Sequence, residues 1–237
     1  LTLAGQDKGY ILIPGGDYQL GDTMSLDNPR RTVHITSFWI ASYELTNAEF
    51  EKFVLATNYR TLAERYHNAM VFEPGLAEFR WLQDSTAYWR FPNGISRGGI
   101  ADKMDHPVTC ISFKDVLAYC AWANCRLPTF DEWEVAARSG SDGRYFEGVN
   151  RDNIGQYANI WHGRDHLEAD YSDGYMYTSP VGTFKPNPLG LYDVFGNVFS
   201  CSAFNTVYIG SVSPNASFSN LGFRVVKKAF TSKDKDF

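Results

Sequence analysis

The chain has 237 residues, 44% of them hydrophobic and 16% aromatic, so it can bury a substantial core and is not a disordered segment. A net charge of −5 with no long basic run before the C-terminal tail argues against nucleic acid as a partner, and no stretch approaches the roughly 18 apolar residues of a membrane span. Twenty glycines and ten prolines suit a loop-rich fold held by rings and turns, not a helical bundle.

In chain order, residues 9–21 (GYILIPGGDYQLG) read as strand, Gly-Gly turn, strand. Residues 31–43 alternate polar and apolar like a half-buried strand. Thr46 with Glu49 forms a capping box that opens a helix, and Phe50, Phe53 and Val54 follow at helical spacing. Residues 60–107 lack periodicity and carry Phe79, Trp81, Tyr88, Trp89, Phe91, Pro92 and Gly94; they read as a long ordered loop region around buried rings. A second helix starts near Ser112, with Val116, Leu117, Cys120 and Ala121 as its apolar face. Thr129 and Glu132 cap a third, which stops at Gly140. Loops and short strands follow to LGFRVV, without repeat or linker. Residues 1–226 therefore read as one domain and 227–237 as a solvated tail. The chain begins with Leu1 and not Met, which suits either a cleaved leader or a trimmed chain.

Four cysteines, Cys110, Cys120, Cys125 and Cys201, show no C-x-x-C spacing and read as buried thiols rather than disulfides or zinc ligands. His162 and His166 lie four apart, but Gly163 argues against a helical metal pair. Glu168, Asp170 and Tyr171 read as a solvated loop.

The segments IPGGDYQLGD, ELTNAEFEKFVLATNYRT, WRFPNGISRGGIADKMDHPVTCISFKDVLAYCAWANCRLPTFDEWEVAARSG, NPLGLYDVFGNV and NLGFRVV occur in this order along nearly the whole chain. Together they resemble the formylglycine-generating-enzyme, or sulfatase-modifying-factor, family. The resemblance implies an α+β, C-type-lectin-like fold with little regular secondary structure. The same motifs make sense physically: Trp133 can anchor its helix, Gly190 and Gly196 allow unusual backbone, Phe223 belongs in a core, and Arg224 suits a hydrogen-bonding fork.

Enzymes of that family oxidise a substrate cysteine to formylglycine, and the resemblance implies two copper-binding cysteines shortly before GFR. Here that segment contains only Cys201, and Phe199 and Ser200 stand where Trp and Glu are usual. The expectation is therefore a protein that is not an enzyme and holds no copper; the alternative is a sulfatase-modifying-factor-like oxidase or a degenerate relative. The resemblance also implies structural calcium on the side chains of Asn159 and Asp173 and the carbonyls of Ile160 and Tyr175. A second site would map to Phe195, Gly196, Val198 and Ser200, but lacks a carboxylate.

Residues 186–226 contain no Lys, Glu, Gln, Met or Trp; every residue there belongs to the set encoded by pyrimidine-ending codons. This resembles the variable region of diversity-generating-retroelement proteins of the treponemal type, in which randomised Asn codons precede a GFR strand. That resemblance implies a secreted or surface-anchored display protein, often a lipoprotein, that binds an unidentified protein or surface ligand. Residues 202–212 and 216–220 look diversified. The expected ligand surface comprises Ser202, Phe204, Asn205, Val207, Tyr208, Ser211, Ala216, Phe218 and Ser219, with Phe204, Tyr208 and Phe218 as aromatic anchors among small polar groups.

Overall fold

In the computed structural model, which describes residues 9–229 apart from 24, 27, 73–80, 142, 144, 163–169 and 201–212, the chain opens with strands β1 (Tyr10–Ile13) and β2 (Gly16–Leu20). These strands do not pair with each other. β2 pairs antiparallel with β3 (Arg31–Ile35), and β1 with β4 (Phe38–Ala41). The expected N-terminal hairpin is thus corrected to two separate pairings. Pro14, which has no amide to donate, and Gly15 turn the chain from one sheet to the other. Residues 31–43 are likewise two strands, broken at Thr36 and Ser37, with alternating burial in each half.

The capping signals act where the sequence places them. Helix α1 (Asn47–Thr57) starts at Thr46, whose hydroxyl accepts from the Glu49 amide while the Glu49 carboxylate accepts from the Thr46 amide. Thr61 and Glu64 repeat the device for α2 (Leu62–Tyr66). The region read as loop therefore holds a helix, and also the antiparallel strands β5 (Ala69–Phe72) and β6 (Trp81–Asp84). All three elements are short, so periodicity had too few residues to reveal them. Trp89 is fully buried there, edge-on to Phe50 at 5.3 Å.

Helix α3 (Phe113–Ala123) starts at Ser112, capped by Asp115, and α4 (Phe130–Arg138) at Thr129. The inward face of α3 is Val116, Tyr119 and Cys120 together with Asp115. Leu117, expected on that face, is 49% exposed. Asp115 takes the buried position because its carboxylate also accepts from the Leu62 amide and the Tyr59 hydroxyl.

Beyond α4 the described residues hold a single 3₁₀ turn (Ile154–Gln156) and otherwise loops as far as β7 (Phe199–Ser200), which pairs in parallel with β8 (Leu221–Gly222). Strand β9 (Val226–Lys228) closes a β1-β4-β9 sheet. This corrects the domain boundary at 226: Lys227 and Lys228 pair with Trp39 and Phe38 and belong to the sheet. The core has two main clusters. One gathers Phe50, Phe53, Trp89, Tyr119 and Phe223; the other gathers Ile13, Phe38, Ile40, Trp133 and Val226.

Candidate functional site

The C-terminal return segment is held by backbone bonds to β5. The Met70 amide donates to Ser217 O at 2.8 Å, the Ser219 amide to Met70 O at 2.9 Å, and the Phe72 amide to Ser219 Oγ at 3.0 Å. The Cys110 amide donates to Phe218 O at 2.9 Å. The alternation of an extended strand then turns Ser217 and Ser219 inward, where both are buried, and leaves Phe218 half-buried. Phe218 stands edge-on to Trp81, Trp81 contacts Phe72, and Phe72 is edge-on to Trp161, with centroids 5.3, 5.7 and 5.8 Å apart. The chain of rings is partly open to solvent: Trp161 is 41% exposed and the other three are half-buried. Trp161 and Phe72 carried no functional signal in the sequence, since nothing local tells a surface ring from a core ring.

Of the expected ligand surface, Phe218 belongs to this strip, and Ala216, two residues earlier in the chain, is half-buried. Ser219 is buried, and its hydroxyl is committed to the Phe72 amide. Ser202, Phe204, Asn205, Val207, Tyr208 and Ser211 lie outside the described residues, as does Cys201. So do His166 and Glu168, while Asp170 and Tyr171 are exposed, as a solvated loop requires.

Apart from the ring strip, the described residues form a polar hub around Asn197. Asn197, in left-handed backbone (φ 67°), accepts at Oδ1 from the Ser179 amide (2.8 Å) and donates from Nδ2 to Glu44 Oε2 (3.2 Å). Glu44 is buried, which with the nearby Asp193 pushes its carboxyl well above the usual range, while Arg224 pulls it down. Arg224 is fully buried and forks to the carbonyls of Ala41 (3.0 Å), Ser42 (2.7 Å) and Tyr192 (2.5 Å). Its role is therefore the structural fork expected of it. Gly190 sits at φ 89°, and a Cβ at Gly196 would lie 2.1 Å from Asn159 O. Neither position admits a side chain cheaply.

The two halves of the expected calcium set meet beside this hub. Asn159 Nδ2 donates to Tyr177 O at 2.7 Å, and the Asn197 amide donates to Asn159 O at 2.8 Å. Asp173 Oδ1 accepts from the Tyr175 amide at 3.0 Å. Asp173 Oδ2 is buried without a hydrogen-bond partner, 3.7 Å from His162 Nε2, which is also buried and without one. Ile160 and Tyr175 are half-buried. Among the described residues no group of three or more His, Cys, Asp or Glu side chains could hold a metal, so a cation here would rest largely on carbonyl and amide oxygens. In the second expected set, Phe195 stacks on Phe146 at 5.3 Å and the Val198 amide donates to Gly196 O.

A family described as "Sulfatase-modifying factor enzyme 1-like domain" matches residues 3–208. The chain is similar to the "Formylglycine-generating enzyme" of Thermomonospora curvata, 39% identical over 83% of this chain and 71% of that protein. It is 39% identical to the mouse protein of the same name over 80% of this chain, spanning 56% of the mouse protein. It is 36% identical to the bovine "Inactive C-alpha-formylglycine-generating enzyme 2", over 84% of this chain and 71% of that protein. Its fold is that of PvdO from Pseudomonas aeruginosa (TM-score 0.62, 22% identity, 93% and 94% coverage) and of Treponema denticola variable protein 1 (TM-score 0.59, 17% identity, 93% and 95% coverage). The α+β fold expected from the sequence is the one observed. The expectation that the missing cysteine pair marks a non-enzyme is overturned: relatives 36–39% identical over most of the chain are named formylglycine-generating enzyme, so this is a member of an enzyme family.

Proposed function

The chain belongs to the sulfatase-modifying factor enzyme 1-like family, and we propose that it binds an extended polypeptide along the aromatic strip Phe218–Trp81–Phe72–Trp161, with residues 202–212 and 216–220 as its sequence-variable part. The linked, half-open rings carry this reading. Rigid rings present apolar faces and polarised edges at little entropic cost, and β5 and the backbone bonds of 217–219 fix them from behind. The lack of Lys, Glu, Gln, Met and Trp across 186–226 supports the variable part. In the described residues no helix is long and apolar enough to cross a membrane.

Panning a random peptide library over the protein tests the strip. Parent protein is expected to enrich a peptide family that Trp81→Ala no longer retains. Tyr66→Ala, which removes a ring 63% exposed elsewhere, should retain it. Equal retention by parent and Trp81→Ala, both folded by thermal melt, would refute the strip as the binding surface. A second reading, oxidation of a cysteine within a bound peptide, is favoured by the names of the relatives. Of the two thiolates the resemblance places before GFR, this chain has Cys201 alone, so no catalytic step is assigned through copper. Mass analysis of a Cys-containing peptide after incubation separates the two readings: loss of its thiol favours oxidation, and unchanged retention favours binding.

We further propose calcium on the side-chain oxygens of Asn159 and Asp173 and the carbonyls of Ile160 and Tyr175. A buried anionic oxygen with no donor, as at Asp173, fits a cation, and Asn159 turns its amide nitrogen to Tyr177 O, leaving its oxygen available. Calcium would serve to pin loop 159–162 to loop 173–177. Added calcium should raise the melting temperature of the parent, reaching about 2.7 kcal/mol of stabilisation at roughly 100-fold excess over Kd. Asp173→Ala should not respond. An equal response in both proteins would show that the cation binds elsewhere.

A further inference from the structure

Helix α3 ends with Asn124 in left-handed backbone (φ 50°), and both the Asn124 amide and, at 3.0 Å, the Cys125 amide donate to the carbonyl of Cys120. This helix end brings the residue just past the left-handed position against one in the last turn, a contact normally made by two apolar side chains. Here both partners are cysteines. The backbone bond holds the two residues side by side, the arrangement a disulfide needs, with α-carbons ~4.4–6.8 Å apart. Cys120 faces the core beside Tyr119 and Phe223, whereas Cys125 is half-buried at the edge of that cluster. Neither is in a disulfide.

We propose that Cys125 and Cys120 form a reactive dithiol, a modification site that takes a small-molecule disulfide as co-reactant. Cys125 is the attacking group and Cys120 the resolving one. A hydrogen bond from Cys120 draws the Cys125 thiol below its ordinary pKa; partial burial opposes this, and the Lys227 ammonium assists. Thiolate character and access both favour Cys125 as the nucleophile. By contrast Cys110 is fully buried in an apolar cluster, and that burial pushes its thiol up, which makes it inert. In the first step the Cys125 thiolate attacks the disulfide RSSR, forming protein–S–S–R and releasing RS⁻. In the second the Cys120 thiolate attacks Cys125 Sγ, closing the intramolecular disulfide and releasing a second RS⁻. The dithiol loses two electrons and two protons, and RSSR becomes two RSH. The bond would lock the end of α3 one residue before Arg126, whose backbone bridges Val226 of β9.

Both cysteines fall between Lys114 and Arg126, so one tryptic peptide, residues 115–126, reports the pair. Protein in a Cys201→Ser background is incubated with glutathione disulfide, alkylated and digested. The expected result is loss of both alkylation sites on that peptide and a mass two hydrogens below its reduced form. Cys120→Ser should instead retain one glutathione on Cys125, and Cys125→Ser should leave Cys120 unmodified. Two alkyl groups on the parent peptide would overturn the proposal. So would a parent in which glutathione persists on Cys125, because Cys120 would then not resolve it.

Discussion

Arg224→Ala is expected to cost about 3–5 kcal/mol of stability, the loss typical when one partner of a buried ionic group is removed. Arg224 is fully buried and satisfies the carbonyls of Ala41, Ser42 and Tyr192, while Glu44 and Asp193 lie close enough to perturb its charge. Removing it orphans the acceptors and strips the two buried carboxyls of their cation. The pH dependence supplies a signature. Burial already raises the Glu44 and Asp193 carboxyls above their ordinary values. A raised folded-state pKa contributes stability that is present below the unfolded value, about 4 for these groups, and is lost as pH rises through the folded value. Without Arg224 both carboxyls rise further, so the deficit of the variant should widen from mildly acidic to neutral pH. Denaturant melts at both pH values measure it. A deficit under about 1 kcal/mol would place Arg224 among ordinary surface substitutions and sink the structural role. Arg224→Lys should recover little, because an ammonium cannot span three carbonyls as the planar fork does.

Phe223→Ala is the second large effect, expected at about 3–5 kcal/mol. Phe223 is fully buried and edge-on to Tyr119 at 5.5 Å, in the cluster that also holds Phe50, Phe53 and Trp89. Phe218→Ser, five residues earlier, removes a ring that is only half-buried and rests on Trp81. Its expected cost is about 1–2 kcal/mol, from part of a burial term and one ring contact. This exceeds the near-zero effect of a freely displayed side chain, because the ring also touches the core. Thermal melts of the two variants give the order. If Phe218→Ser matched Phe223→Ala, the ring would be core, and the aromatic strip would lose its C-terminal anchor.

Much of this was legible in the amino-acid sequence, for reasons that are local. Thr46 with Glu49 and Thr129 with Glu132 announce helix starts, since the carboxylate three residues on must reach back over one turn. The motif order along the chain identified the fold. The same logic stopped short at Thr61 with Glu64, which cap a helix too brief to show a period. It also misjudged Leu117, because periodicity locates a helical face without saying which neighbours cover it. The tertiary structure alone decided everything that depends on chain closure. Strand β9 draws Lys227 and Lys228 into a sheet, and Phe218 meets Trp81 across more than a hundred residues of chain. Arg224 likewise reaches carbonyls on β4 and beside it that no sequence window contains. The cysteine pair makes the division plain: its spacing can be read in the sequence, but the thiols meet only because Asn124 adopts left-handed backbone and the Cys125 amide turns back to Cys120. Sequence patterns encode the propensities of neighbours along the chain, whereas contacts between distant segments arise only when the whole core has formed around them.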